Sequence, residues 1–157
     1  VYSQDNIFDA SRQGNLNEVI SIYTKNPDAI NLTNSEGYSP LILACYHGNK
    51  EVVKFLIDKV NSINSTSNYG TPLMAAMVKG NIEIIEMLLS RNAVTNIADV
   101  NGTTAMHYAV LFKNYEAIKL LIDANADLEI KDRRGQSALD YAVLQNDKKL
   151  NNLLKNI

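Results

Sequence analysis

The sequence predicts an all-α solenoid of stacked helix-turn-helix units. Three observations carry that expectation. Gly37, Gly70, Gly102 and Gly135 recur at intervals of 33, 32 and 33 residues. Each opens a related segment: GYSPLILACYHGN, GTPLMAAMVKGN, GTTAMHYAVLFKN and GQSALDYAVLQND. Behind each segment runs a second apolar stretch. A fixed period of this length marks a repeat array, in which a unit too small to bury its own apolar face stacks on the next. A degenerate fifth copy, IFDASRQGN, opens the chain, with Ala10 and Gly14 matching Ala44 and Gly48.

Each unit follows from its residues in chain order. The polar stretches at 34–37 and 132–135 are turn chemistry, with glycine free to take a positive φ. Ser39-Pro40 and Thr71-Pro72 then read as helix starts, the hydroxyl capping exposed amides and proline suiting the first helical position. Ala105 and Ala138 take the proline's place in the last two units, which keeps the helix and gives up some preorganisation. The first helix stops at Gly48-Asn49 and Gly80-Asn81. The second, as in IEIIEMLLSRN, carries Ile82, Ile84, Ile85, Met87, Leu88 and Leu89, more than the single stripe of a surface helix. It is therefore expected to be buried on two sides, between neighbouring units. The last helix differs, with Leu150, Leu153, Leu154 and Ile157 on one face and Asn151, Asn152, Lys155 and Asn156 on the other. It reads as a terminal cap, and the degenerate first copy as the cap at the other end.

The pattern G-x-[ST]-P-L-x-x-A-x-x-x-G-[HN], then an amphipathic helix and a turn with an aliphatic residue before Asn, resembles the ankyrin repeat, whose period of about 33 and T-P-L-H-x-A signature match. The resemblance covers essentially the whole chain. It implies units joined by β-hairpin-like loops within a single domain, 1–157. The approximate units are 1–33 as a cap, 34–66, 67–98, 99–131, and 132–157 as a cap. GTPL at Gly70 lacks the residue normally found between Gly and Thr, so that hairpin is expected to be one residue tighter. Val60, Asn92 and Asn125 stand where the family usually has glycine after the second helix. Asn tolerates the left-handed conformation and Val does not, so a different turn is expected after Lys59. Lys113 replaces the glycine that would end the first helix of its unit.

Composition excludes several classes. A chain of 157 residues with 46% hydrophobic and 20% charged residues is a folded domain with a substantial core. A net charge of -2 supplies no global field for nucleic acid or an anionic membrane, and neither is expected as a partner. The single cysteine, Cys45, forms no intramolecular disulfide, and no apolar run approaches the ~18 residues of a membrane span. The chain starts at Val1, so an upstream segment is expected to have been removed, by design or with an export signal. A soluble protein follows, cytoplasmic or, if a signal was removed, periplasmic or secreted. Its richness in Asn, Ile and Lys suggests an AT-rich, bacterial genome.

No catalytic, metal or cofactor site is expected. Cys45 and His47, two apart on one helix, point to different faces, and Cys45 shares its position with Met77, Val110 and Val143, a core register. His107 occupies the histidine of the family signature, and the resemblance implies an imidazole that ties loop to helix by hydrogen bonds. Asp99 and Asp132, one repeat apart, read as turn formers rather than an acid-base pair. No phosphate loop, nucleophile elbow or dinucleotide fingerprint is present.

The resemblance implies a module that binds a protein partner on the concave face made by hairpin tips and first helices. The informative positions are those the fold leaves free. At the tips and before the helix stops stand Tyr38, Tyr46, His47, Tyr69, Lys79, Leu111 and Phe112, with Arg133 and Arg134 at the last tip. Aromatic anchors dominate binding hot spots, and the arginine pair suits an acidic partner residue, so the expected surface is an apolar, aromatic centre with a basic edge. A monomeric adaptor is the leading expectation. The alternative is a structural or stabilising domain of a larger chain or assembly.

Overall fold

A computed structural model describes residues 5–155. Its helices are α1 (Asp5–Gln13), α2 (Leu16–Lys25), α3 (Pro40–Tyr46), α4 (Lys50–Ile57), α5 (Pro72–Lys79), α6 (Ile82–Ser90), α7 (Ala105–Leu111), α8 (Tyr115–Asp123), α9 (Ala138–Gln145) and α10 (Lys148–Leu154), with a 3₁₀ turn at Pro27–Asn31 after α2. The odd-numbered helices pack on one another in succession, the even-numbered helices do the same, and each odd helix packs on the even helix that follows it. The result is a two-layered all-α solenoid.

None of these helices is long enough to persist alone, since isolated helices shorter than about 12–15 residues are marginal in water. Caps and packing make up the deficit. The hydroxyls of Ser39, Thr71, Thr104 and Ser137 accept from the amides of Ile42, Met74, His107 and Asp140 at 3.1, 3.3, 3.4 and 3.0 Å. All four caps are buried, and Pro40 and Pro72 stand directly behind the first two, as the sequence predicts. In the odd layer Ala10, Ala44, Ala76, Ala109 and Ala142 repeat at one register and are all fully buried. A methyl group at each crossing lets successive helices approach closely. In α6, Ile84, Ile85 and Leu88 are buried, Ile82, Met87 and Leu89 are half-buried, and only Glu83, Glu86 and Ser90 face water. The helix is covered on two sides, as expected.

The connecting turns are tied from one unit to the next. The side-chain oxygens of Asn31, Asn64 and Asn96 accept from the amides of Asn61, Val94 and Asp127 at 2.8, 2.9 and 2.8 Å. Gly70 closes the tighter hairpin, with Ser67 and Gly70 exchanging backbone bonds of 3.0 and 3.1 Å where the neighbouring hairpins span one residue more. Its φ of +109° strains any L side chain, and an added Cβ would press on the Met74 side chain, so the position suits glycine. Asn92 and Asn125 adopt φ of 60° and 61°, whereas Val60 is not among the positive-φ residues, so the turn after Lys59 differs as its sequence requires.

At the C-terminal end the structure corrects one expectation. On α10, Leu150 is buried, Leu153 and Leu154 are half-buried, and Asn152 and Lys155 are exposed, which matches a cap; Ile157 lies outside the described residues. On α9, however, Val143 is 68% exposed, although Cys45, Met77 and Val110 at its register are fully buried. Those three are covered by the odd helix that follows; among the described residues no odd helix follows α9.

The alanine register makes a direct prediction. Ala109→Leu should force the close-packed odd layer apart and destabilise the fold by about 1–3 kcal/mol in urea unfolding. An unchanged midpoint would mean the register has room to spare.

Candidate protein-binding face

Three hairpin tips are built by side chains that copy one bonding pattern, while the tip at Gly70 is closed by its backbone pair. Asn34 Oδ1 accepts from the amides of Glu36 and Tyr38, Asp99 Oδ1 from Asn101 and Thr103, and Asp132 Oδ1 from Arg134 and Gln136, all at 2.9–3.0 Å. The two aspartates are therefore turn formers. Their second oxygens are also taken: Tyr108 donates its hydroxyl to Asp99 Oδ2 at 2.7 Å, and Tyr141 donates to Asp132 Oδ2. These two tips are thereby fixed to the first helices behind them, α7 and α9. Burial, followed by the bond to Asp99, pushes the Tyr108 phenol far above its ordinary range.

Between these tips and α3, α5 and α7 runs a groove of about 480 Å³. Tyr38, Tyr46, Tyr69 and Tyr108 line it together with Ile42, Met74 and Val78. Tyr38 and Tyr69, from consecutive tips, stack at 5.3 Å with their planes 30° apart. Tyr69 is 63% exposed. Burial and the neighbouring Tyr69, Glu36 and Tyr46 raise the Tyr38 phenol's pKa, so it enters the groove as a neutral donor. His47 also lines the groove and meets the Tyr46 ring edge-on at 5.2 Å, while Lys79 Nζ lies 4.4 Å from the centroid of the same ring.

A second, shallower depression of about 580 Å³ lies beside the first, at the helix stops. Val78 lines both. Phe112, 57% exposed and stacked on Tyr108 at 6.3 Å, lines only the second, with Lys79, Lys113, Tyr115 and Lys149. Leu111 is exposed but lines neither hollow. Arg133 and Arg134 are exposed at the last tip and also line neither. The expected single surface is thus two joined hollows, and the cations placed next to Phe112 are lysines, not the arginine pair. The arginines sit at a hairpin tip, whereas Phe112 ends a helix.

A family model of ankyrin repeats, in three copies, matches residues 7–99 and 91–157. The chain belongs to the ankyrin-repeat family. Over 107 residues, 67% of this chain, it is 36% identical to ankyrin repeat and SAM domain-containing protein 6 of Rattus norvegicus, of which the match spans 12%. It is 32% identical over 112 residues, 69% of this chain, to the probable E3 ubiquitin-protein ligase XBOS32 of Oryza sativa, covering 23% of it. BCL-6 corepressor-like protein 1 of Homo sapiens is 32% identical over 101 residues, 64% of this chain and 6% of the relative. The chain spans under a quarter of the length of each of these relatives. Ankyrin repeats are in general protein–protein interaction modules.

Within the ankyrin signature, His107 acts as the resemblance implies. Its Nδ1 is 3.0 Å from the Thr104 amide, which donates to it, and 2.9 Å from the Thr104 hydroxyl, while Nε2 lies 3.0 Å from the Gln136 carbonyl of the next tip. The buried ring joins cap, helix and neighbouring unit. Two earlier units carry Ile42 and Met74 in the histidine's place, and both line the groove. Cys45 is fully buried, which drives its thiol pKa far above the ordinary value, while His47 is exposed, so the pair is no nucleophile and base. Among the described residues no group of three or more His, Cys, Asp or Glu is placed to hold a metal, and no helix is long and apolar enough to cross a membrane.

Tyr108 is a groove wall that does not stand among the tip and helix-stop positions. The signal was available: Tyr108 follows Asp99 by nine residues, as Tyr141 follows Asp132. Tyr115 and Lys149 join the second depression from the starts of even helices, away from the tips and helix stops that the repeat register marks as free.

Tyr108→Phe should lower stability by about 1 kcal/mol, the loss of one hydrogen bond to a carboxylate that keeps its two amide donors. Thermal unfolding with an unchanged Tm would show that the bond contributes nothing net. Asp147 yields a pH prediction. The Tyr115 hydroxyl at 2.6 Å, then the Leu150 amide, hold its carboxyl below the ordinary value, against an opposing effect of burial. A carboxyl depressed by folding adds stability that is complete above its unfolded pKa of about 3.9 and disappears as pH falls through the folded value. Tyr115→Phe should raise the Asp147 midpoint in a carboxyl-carbon NMR titration, and an unmoved midpoint would refute the assigned cause.

Proposed function

We propose that this ankyrin domain is a non-enzymatic adaptor that binds a protein partner along the concave face of the array. The observation that carries this reading is the lining of one groove by Tyr38, Tyr46, Tyr69 and Tyr108 from three successive helix pairs. The repeat itself does not require tyrosine at Tyr38, Tyr46 or Tyr69, and Tyr69 spends its area on solvent. Tyrosine and phenylalanine bury much area with few rotatable bonds, which suits them to anchor a partner. Leu111 and Phe112 extend the apolar face beyond the groove, and Arg133 and Arg134 add a basic edge at the last tip, apart from both hollows. The division into five units and the monomeric state belong to the same reading.

A second reading is favoured by Val143 and Leu144, exposed at 68% and 73% on α9. In it the chain is a stabilising part of a larger assembly and α9 is permanently covered there. Size-exclusion chromatography separates the two, because an obligate docking face should drive self-association at micromolar concentration and a transient binder should elute as a monomer.

The leading reading is tested by affinity capture from native extract followed by mass spectrometry, with wild type, Tyr69→Ala and Phe112→Ala as baits. Both variants should lose the captured partner while unfolding within about 1 kcal/mol of wild type, since each gives up only a surface ring contact. A loss of about 3–5 kcal/mol would reveal a core role instead.

A further inference from the structure

The depression at Phe112 differs from the tyrosine groove in its charge. Three lysines line it, Lys79, Lys113 and Lys149, against a single carboxylate residue in the lining, Glu116. Two of the three rest on aromatic rings: Lys79 Nζ is 4.4 Å from the Tyr46 centroid and Lys149 Nζ is 4.6 Å from that of Tyr115. A ring face orients a cation without neutralising it. The third, Lys113, reaches Asp147 Oδ2 at only 3.7 Å, and that oxygen already accepts the Tyr115 hydroxyl at 2.6 Å. The depression's apolar lining is Phe112, Met77 and Val78.

Lys113 carries a second, independent indication. It stands at φ 52°, in the left-handed region, at the helix stop where Gly48 and Gly80 hold φ of 73° and 67°. A long side chain there is strained, and glycine is the residue that the backbone prefers. Strain retained against an available relief points to a use for the side chain, and backbone outliers of this kind gather at functional positions.

We propose that this lysine-ringed depression is the anchor for an acidic, aliphatic segment of the protein partner, its carboxylates meeting Lys79, Lys113 and Lys149 and its apolar side chain seated on Phe112. This deepens the protein-binding reading and rests on it. A nucleic acid fits the same charge less well. An extended polyanion would run from the three lysines onto Glu116 and Asp147, and the chain as a whole carries a net charge of -2.

The test uses the acetylated, fluorescein-labelled peptide Glu-Glu-Leu-Leu-Glu-Glu, its all-lysine counterpart, its serine counterpart and a short single-stranded oligonucleotide, each titrated into the domain by anisotropy. The acidic peptide should bind at least about tenfold more tightly than the lysine peptide, and its affinity should fall as salt rises. Lys113→Gly should weaken it by about threefold to tenfold while leaving Tm unchanged or raised, because the change removes a charge and the strain together. A purely structural lysine would lower Tm on removal and leave peptide binding alone, and that result overturns the proposal. Tighter binding of the oligonucleotide than of the acidic peptide overturns it too. Equal binding of the three peptides, with partner capture still lost in Tyr69→Ala, overturns the basic anchor and spares the groove. Loss of charge preference together with capture that is indifferent to Tyr69 overturns the protein-binding reading beneath it.

Discussion

Close stacking of the odd helices is the constraint on which everything else in this fold depends. Helices of seven to ten residues gain too few internal hydrogen bonds to offset the entropy of ordering them. They exist because each is clamped between neighbours, and the clamp closes only where a side chain no larger than a methyl group occupies the crossing, at Ala10, Ala44, Ala76, Ala109 and Ala142. Stability in such an array is a sum over interfaces rather than the property of one central core. The asparagines at Asn31, Asn64 and Asn96 extend the same logic to the turns, where side chain meets backbone amide across one repeat.

A stack of this kind divides its residues sharply into those that serve the interfaces and those that do not. Caps, alanines and the buried His107 belong to the first group, and their geometry allows little substitution. The tips and helix stops belong to the second. The tips at Asn34, Asp99 and Asp132 share one locking pattern, the tip at Gly70 is closed by its own backbone pair, and Asp99 and Asp132 are further tied to helix tyrosines. The free positions therefore come to lie side by side at fixed spacing. Tyr38 can stack on Tyr69 only because the hairpins that carry them are held in register. The groove is a by-product of the stacking, and its contents are set by residues that the stacking does not use.

Much of this was legible beforehand, residue by residue. The tight hairpin at Gly70, the hydroxyl caps, the turn roles of Asp99 and Asp132 and the structural role of His107 all act through bonds within a few residues or at one repeat spacing, so the sequence register carries them. Leu111 and Phe112 were legible as free positions for the same reason. Their company was not. That Phe112 shares a depression with Lys79, Lys113 and Lys149 depends on how the stops of successive odd helices meet the starts of the even helices, a relation between elements that no spacing encodes. The exposure of Val143 was misjudged because its register is a core register only where another odd helix covers it.

The sequence by itself determined the period, the helix pairs and the division between packing and free positions, since these follow from local caps, turn chemistry and a repeating apolar pattern. Only the tertiary structure decided how the free positions combine: one aromatic groove, one lysine-ringed depression joined to it through Val78, and an arginine pair set apart from both. Local chemistry places a side chain along the chain, but the offset between stacked units decides which side chains share a surface.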